Sequence, residues 1–194
     1  KRKWVWKRML RELWDWIKTF AIAIVLVVLI RSFLFGNYVV YGESMVPNFD
    51  NRERLIVNKI IYQLREPKRG EVVVLHAPEG EDYIKRVIAL PGERVRVQGD
   101  DVFINGEKLD EPYIEEQVRR AKEAGGVYNT RGDFPHDGSE AVVPEGHVFV
   151  MGDNRPHSKD SRDPSVGFIP FEDIVGRADL VYWPIHHFEL LPSQ

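Results

Sequence analysis

The chain has 194 residues, with 27 lysines and arginines against 30 aspartates and glutamates, a formal net charge of −3. That balance excludes a generic nucleic-acid binder, and 43% hydrophobic with 29% charged residues excludes a disordered or fibrous chain. The absence of cysteine removes disulfides, thiolate nucleophiles and cysteine-based zinc sites together.

The charge is unevenly distributed. Residues 1–18 carry seven basic and two acidic side chains, net +5, whereas residues 36–194 carry 19 basic and 28 acidic ones, net −9. Between them runs FAIAIVLVVLI, Phe20 to Ile30, inside a mostly apolar stretch of 19 residues from Ile17 to Phe35. A bilayer core needs roughly 20 apolar residues, so 17–35 is expected to be a transmembrane anchor, with 1–16 as a basic cytoplasmic N-terminus. The basic flank places the remainder outside the cell membrane, single-pass. No A-x-A-like site follows the run, so an uncleaved anchor is expected rather than a removed leader. The competing reading is a buried core helix, because the uninterrupted run is short.

Beyond Phe35 the texture becomes short runs rich in Val, Ile, Tyr and Phe, broken by Gly, Pro and Asp. NYVVYG, RLIVNKI, GEVVVLHA, YIKRVIAL, ERVRVQG, DVFING, HVFVMG and RADLVYWP all read as strands, and Asn105-Gly106 is a hairpin turn signal. The first of these strands is expected to end at Gly42. A mainly β, antiparallel catalytic domain over 36–98 and 139–194 is expected. A small inserted subdomain over 99–138 would contain one soluble helix from Tyr113 to Gly126.

Three segments hold candidate chemistry. Ser44, in YGESMVPNF, lies on a tight turn just after a strand, where a hydroxyl and free backbone N–H groups can face a substrate together. A serine in such a turn more often only caps local backbone. Lys85 sits in YIKRVIAL among apolar neighbours. Lowering a lysine pKa from near 10.4 to about 8 by burial costs roughly 3 kcal/mol, and the neutral amine could then take the serine proton. An exposed or ion-paired Lys85 is the competing reading. The third segment, GDNRPHSKDSR, packs Asp153, Arg155, Ser158, Asp160, Ser161, Arg162 and Asp163 closely behind an apolar strand, as an internal ion-pair network would require. It lacks the spacing of an EF-hand loop. Of the six histidines only His157 has suggestive neighbours, and a solvated loop residue is its simpler reading.

Taken in order behind the apolar run, GESMVP, RGEVVVL with YIKRVIALPGE, and GDNRPHSKDSR resemble the boxes of the type I signal peptidase family, in its single-anchor, Gram-positive-like branch. The resemblance implies a membrane-bound Ser-Lys endopeptidase that removes signal peptides from secretory preproteins after Ala-x-Ala-like motifs, without a metal or other cofactor. It assigns Ser44 as nucleophile, Lys85 as general base, Ser158 as the group orienting the lysine, and Asp160 with Arg162 as a structural ion pair. Asp153 and Arg155 belong to the same box. The oxyanion would be held by the Ser44 N–H and a second donor near Gly42, where a family serine hydroxyl is missing. Asn48 stands where the family often has threonine.

The substrate is expected to add as a strand between Tyr38–Gly42 and Asp82–Lys85. By the same resemblance Val40, Met45, Phe49 and Ile84 line the first pocket, and Tyr38, Leu55, Val74 and Ile84 the second. Phe49, Trp183 and Phe188 are candidates for dipping into the lipid bilayer. Other readings are a membrane-tethered β module that binds exported chains without cutting them, and a Ser-His hydrolase using His157. A self-cleaving Ser-Lys regulator is disfavoured.

Overall fold

The computed structural model describes residues 2–191. Helix α1 runs from Arg2 to Phe33, and Leu34 turns the chain directly into strand β1, Phe35–Val39. Within α1, the 20 residues Arg11–Ile30 are long and apolar enough to cross a membrane, and none of that span is buried against the rest of the chain. That exposure removes the core-helix reading, because a core helix must cover its apolar side chains with protein. Phe35, expected at the end of the anchor, already belongs to β1.

The chain continues through β2 (Arg54–Asn58), the one-turn helix α2 (Ile61–Leu64), β3 (Val72–His76) and β4 (Asp82–Ala89). Next come β5 (Arg94–Gln98), β6 (Asp101–Ile104), β7 (Glu107–Lys108) and helix α3 (Glu115–Glu123). The last strands are β8 (Ala141–Val142), β9 (His147–Met151), β10 (Ile169–Pro170), β11 (Ile174–Trp183) and β12 (Glu189–Leu190). All pairings are antiparallel. The larger sheet has the order β1-β2-β11-β3-β4-β9-β10 with β12 on β11, and the smaller has the order β7-β6-β5-β8. All eight runs read as strands from sequence form strands. The first ends at Val39 rather than Gly42: the Val40 N–H bonds the Glu53 carbonyl and the Val40 carbonyl accepts from Arg52, which closes a turn instead of extending the ladder.

The smaller sheet begins at Arg94 and takes back Ala141 and Val142, so it draws on residues on both sides of 99–138. It packs through Val95, Val97, Val102 and Ile104 onto Ile88, Phe149 and Met151 of the larger sheet. That burial makes it a second layer of one core rather than an appended unit. Helix α3 follows a 3-10 turn, Pro112–Ile114, and ends at Glu123, so it is shorter at both ends than the expected Tyr113–Gly126.

The central strands β3 and β4 read VVVLH and DYIKRVIA and are buried almost throughout, because both faces are covered. Residues Asp82–Arg86 pair with β3, while β9 pairs with β4 only from Arg86 onward. The outer half of β4, with Lys85 in it, therefore has one edge unpaired by any described strand.

Candidate active site

Ser44 opens a tight non-helical turn that runs through the cis Val46–Pro47 bond. Asn48 and Phe49 both donate N–H groups to the Met45 carbonyl at 3.0 Å, and Val46 N–H bonds Glu43. The turn leaves Met45 and Phe49 facing inward together. Both are buried, at 1% and 2% exposure, in a cluster with Leu55, Val57 and Val181. Neither lines the cleft beside Ser44, so they lie under the turn rather than in the first pocket, and Phe49 is too buried to reach lipid. Trp183 and Phe188 are exposed.

Ser44 is half-buried and faces Lys85. The Lys85 amine lies 2.9 Å from Ser44 Oγ and donates to the Ile84 carbonyl at 2.9 Å, and its ring neighbour Tyr83 stands with its centroid 4.7 Å away. Lys85 is 3% exposed. Burial is the dominant influence on its amine and lowers its pKa to about 8. Asp160 and Asp153 pull it upward, and Arg162 opposes them. At that value about a tenth of the amine is neutral at pH 7, against a few ten-thousandths at the ordinary lysine value.

The third segment supplies the support around this pair. β9 ends at Met151, opposite Arg86, and the chain passes behind the serine turn. Asn154 donates its backbone N–H to the Ser44 carbonyl at 3.0 Å and its side-chain amide to the Glu43 carbonyl at 2.8 Å. Gly152 packs so tightly there that a Cβ would lie 2.2 Å from Ser158 Oγ and 2.4 Å from the Ser44 carbonyl oxygen. Sequence reading did not single out Asn154 or Gly152; their only signal was membership of the GDNRPHSKDSR box.

Three buried ion pairs brace the loop. Arg162 makes a bidentate pair with Asp160 at 2.8 Å through Nε and Nη2, Nη2 also donates to the Arg155 carbonyl, and Nη1 donates to Asn129. Burial opposes ionisation of Asp160, but Arg162 overrides it and holds the carboxyl below its usual range. Arg155 pairs with Glu111 and Arg86 with Asp153. Asn48 bonds both Asp153, at 2.8 Å, and the Tyr113 carbonyl, at 2.9 Å. The residue that departs from the family pattern thus ties the serine turn to the ion-pair loop.

Two expectations need correction. Ser158 is buried, but its hydroxyl does not meet Lys85: it stands by the Asp160 carboxyl, whose ionised form it favours, and the Lys85 amine spends its donors on Ser44 Oγ and Ile84 instead. The Gly42 N–H is also committed, donating to Asn51 Oδ1 at 3.2 Å. Gly42 has φ +91°, a left-handed conformation that glycine adopts without strain. The Ser44 N–H, by contrast, makes no hydrogen bond with the described residues.

A cleft of about 240 Å³ opens over the pair. Tyr38, Val40, Gly42, Leu55, Val74 and Ile84 line it beside Ser44 and Lys85. His157 and Lys159 stand at its rim, with His157 exposed. The cleft's walls are the chain after β1 and the unpaired half of β4, which suits an extended peptide between them.

A family model described as signal peptidase, peptidase S26, matches residues 13–183. The chain is 44% identical over 172 residues to a signal peptidase I of Bacillus amyloliquefaciens, covering 89% of each chain. It is 37% identical over 184 residues to a signal peptidase IB of Staphylococcus aureus, covering 93% of this chain and 95% of that one. Among solved structures, a signal peptidase I of Enterococcus faecalis superimposes with a TM-score of 0.50 at 35% identity, over 58% of this chain and 97% of that one. A buried lysine on a turn serine, in the same β architecture and with matching sequence over most of the chain, leaves one assignment: the chain belongs to the signal peptidase family, peptidase S26.

Proposed function

We propose that the chain removes signal peptides from secretory preproteins, using Ser44 as nucleophile and Lys85 as general base. The carrying observation is the 2.9 Å contact between the Lys85 amine and Ser44 Oγ, with that amine buried. The neutral amine takes the hydroxyl proton as Ser44 Oγ attacks the scissile carbonyl, then returns it to the leaving amine. Water enters next: the same amine takes its proton as its oxygen attacks the acyl-serine ester, then gives that proton to Ser44 Oγ as the acyl bond breaks, freeing the acid and restoring the serine. The open Ser44 N–H is the protein's first donor to the oxyanion. Because Gly42 N–H already serves Asn51, a second donor requires that bond to exchange or comes from elsewhere in the cleft.

The peptide lies extended along the unpaired half of β4, and its alternate side chains enter the apolar space lined by Val40, Ile84, Tyr38, Leu55 and Val74. The small volume favours alanine-sized side chains at those positions, hence Ala-x-Ala before the cut. Helix α1 serves as the membrane anchor. The basic residues preceding the span put the N-terminus in the cytoplasm and the β domain outside.

The test is cleavage of a preprotein by purified full-length protein in detergent. Wild type yields mature product cut after Ala-x-Ala, whereas Ser44→Ala and Lys85→Met yield none while keeping their fold. Product from the Lys85→Met variant, or loss of product from His157→Ala instead, overturns the assignment.

A further inference from the structure

A second cavity of about 610 Å³, sharing no lining residue with the Ser44–Lys85 cleft, is lined by Phe49, Val72, Val181 and Phe188 together with Glu53 and His187. Two segments distant in sequence meet in it. One is the turn Asp50–Glu53, closed by the Glu53 N–H on the Asp50 carbonyl at 3.3 Å and by Arg52 at φ +72°. The other is the 3-10 turn Ile185–His187 after β11. His187 Nδ1 lies 2.8 Å from Glu53 Oε1 and 3.8 Å from Asp50 Oδ2, and one donor atom from each of the three residues falls within 4.8 Å of the others.

Glu53 is 4% exposed, and its second oxygen, Oε2, is buried without a hydrogen-bond partner. An unmatched carboxylate oxygen in such a place is costly and calls for a positive partner. The two arginines lining the same cavity are already engaged, Arg86 with Asp153 and Arg177 with Glu71 and Asp179. The two carboxylates therefore face one imidazole.

We propose that Asp50, Glu53 and His187 bind one divalent transition-metal ion of the Zn²⁺ type, which staples the C-terminal turn to the segment following the nucleophile. Ligands about 2.1 Å from a tetrahedral ion stand about 3.4 Å apart, and the observed separations bracket that spacing. Half-exposed Asp50 supplies the small closing motion, and solvent completes the shell. A set of one imidazole and two carboxylates selects Zn²⁺ or Co²⁺ over Ca²⁺ and Mg²⁺, which take oxygen ligands. The ion acts on structure, since the site lies outside the cleft. Its link to that cleft is Asn51, which sits between the ligands and holds the Gly42 N–H.

Titration of the full-length protein in detergent with Co²⁺, followed by visible absorption and by displacement with Zn²⁺, tests the site without an activity readout. One equivalent should bind with the intense bands of a four-coordinate nitrogen-oxygen site, and saturating Zn²⁺ should raise the melting temperature. His187→Asn and Asp50→Asn, both at half-exposed positions, should each weaken binding at least tenfold and abolish the melting shift. Glu53→Gln should do the same, though the exposed variants carry the test if it misfolds. Absence of stoichiometric binding overturns the proposal. So does binding or a melting shift that survives in His187→Asn, which would show adventitious capture by other histidines.

Discussion

Replacing Lys85 by methionine separates what the fold needs from what the chemistry needs. In the wild type the amine's pKa is lowered to about 8, chiefly by burial, from an ordinary 10.5. This difference corresponds to about 3 kcal/mol between the charged and neutral forms. The sign follows from proton counting: between pH 8 and 10.5 the unfolded chain holds a proton that the folded one has lost, so stability rises with pH in that window. Below pH 8 the penalty is fully present. Methionine has similar length, needs no proton and escapes the penalty, while giving up two hydrogen bonds worth about 1 kcal/mol each. Lys85→Met should thus be as stable as wild type at pH 7 or more stable by about 1 kcal/mol. Wild type should recover about 2–3 kcal/mol relative to it between pH 7 and 10. Peptide cleavage by wild type should rise tenfold per pH unit below about 8 and then level off, and the variant should lose at least a hundredfold. Thermal melting in detergent and a fluorogenic Ala-x-Ala peptide supply both readouts. A rate profile flat from pH 6 to 9, or a variant that is far less stable than wild type at pH 7, would refute a desolvated, proton-accepting lysine.

Gly152→Ala should cost about 1–3 kcal/mol and slow cleavage, because its methyl lands on Ser158 Oγ and on the Ser44 carbonyl. Adding Ser158→Gly should restore part of the stability but little of the rate, since the backbone clash remains; full recovery of rate would contradict this packing. Asp160→Asn should destabilise by about 3–5 kcal/mol at pH 7 by leaving Arg162 unpaired and buried. The lowered carboxyl pKa makes that contribution present above pH 3.8 and lost as pH falls through the lower native value, so melting curves of wild type and variant should converge in acid. Asn48→Ala should cost about 1–2 kcal/mol by breaking its bonds to Asp153 and Tyr113, measurable as a lower melting temperature. An unchanged value would remove Asn48 as the tie between turn and loop.

Local chemistry made much of this protein legible. β-branched runs between Gly and Pro marked all eight strands expected, because a pleated half-buried surface favours those side chains. The apolar run with its basic flank marked a membrane-length helix. Ser44 and Lys85 were readable because each stood in an ordered box. Less legible were the pocket walls: Met45 and Phe49 are apolar beside the serine, yet the tight turn over 44–49 buries them beneath it. Similarly, GDNRPHSKDSR disclosed a network but not its pairings. Arg155 reaches Glu111 and Arg86 reaches Asp153, across 44 and 67 residues of chain.

Propensity, hydropathy and side-chain chemistry act at short range, and they were enough to locate the elements, the anchor-length helix and the residue types available for catalysis. It took the folded packing to show that the amine is dehydrated, that it meets Ser44 rather than Ser158, and that Gly42 spends its N–H on Asn51. Those outcomes depend on which surfaces exclude water and which atoms come within 3 Å after distant strands pair, and no local pattern encodes such distances.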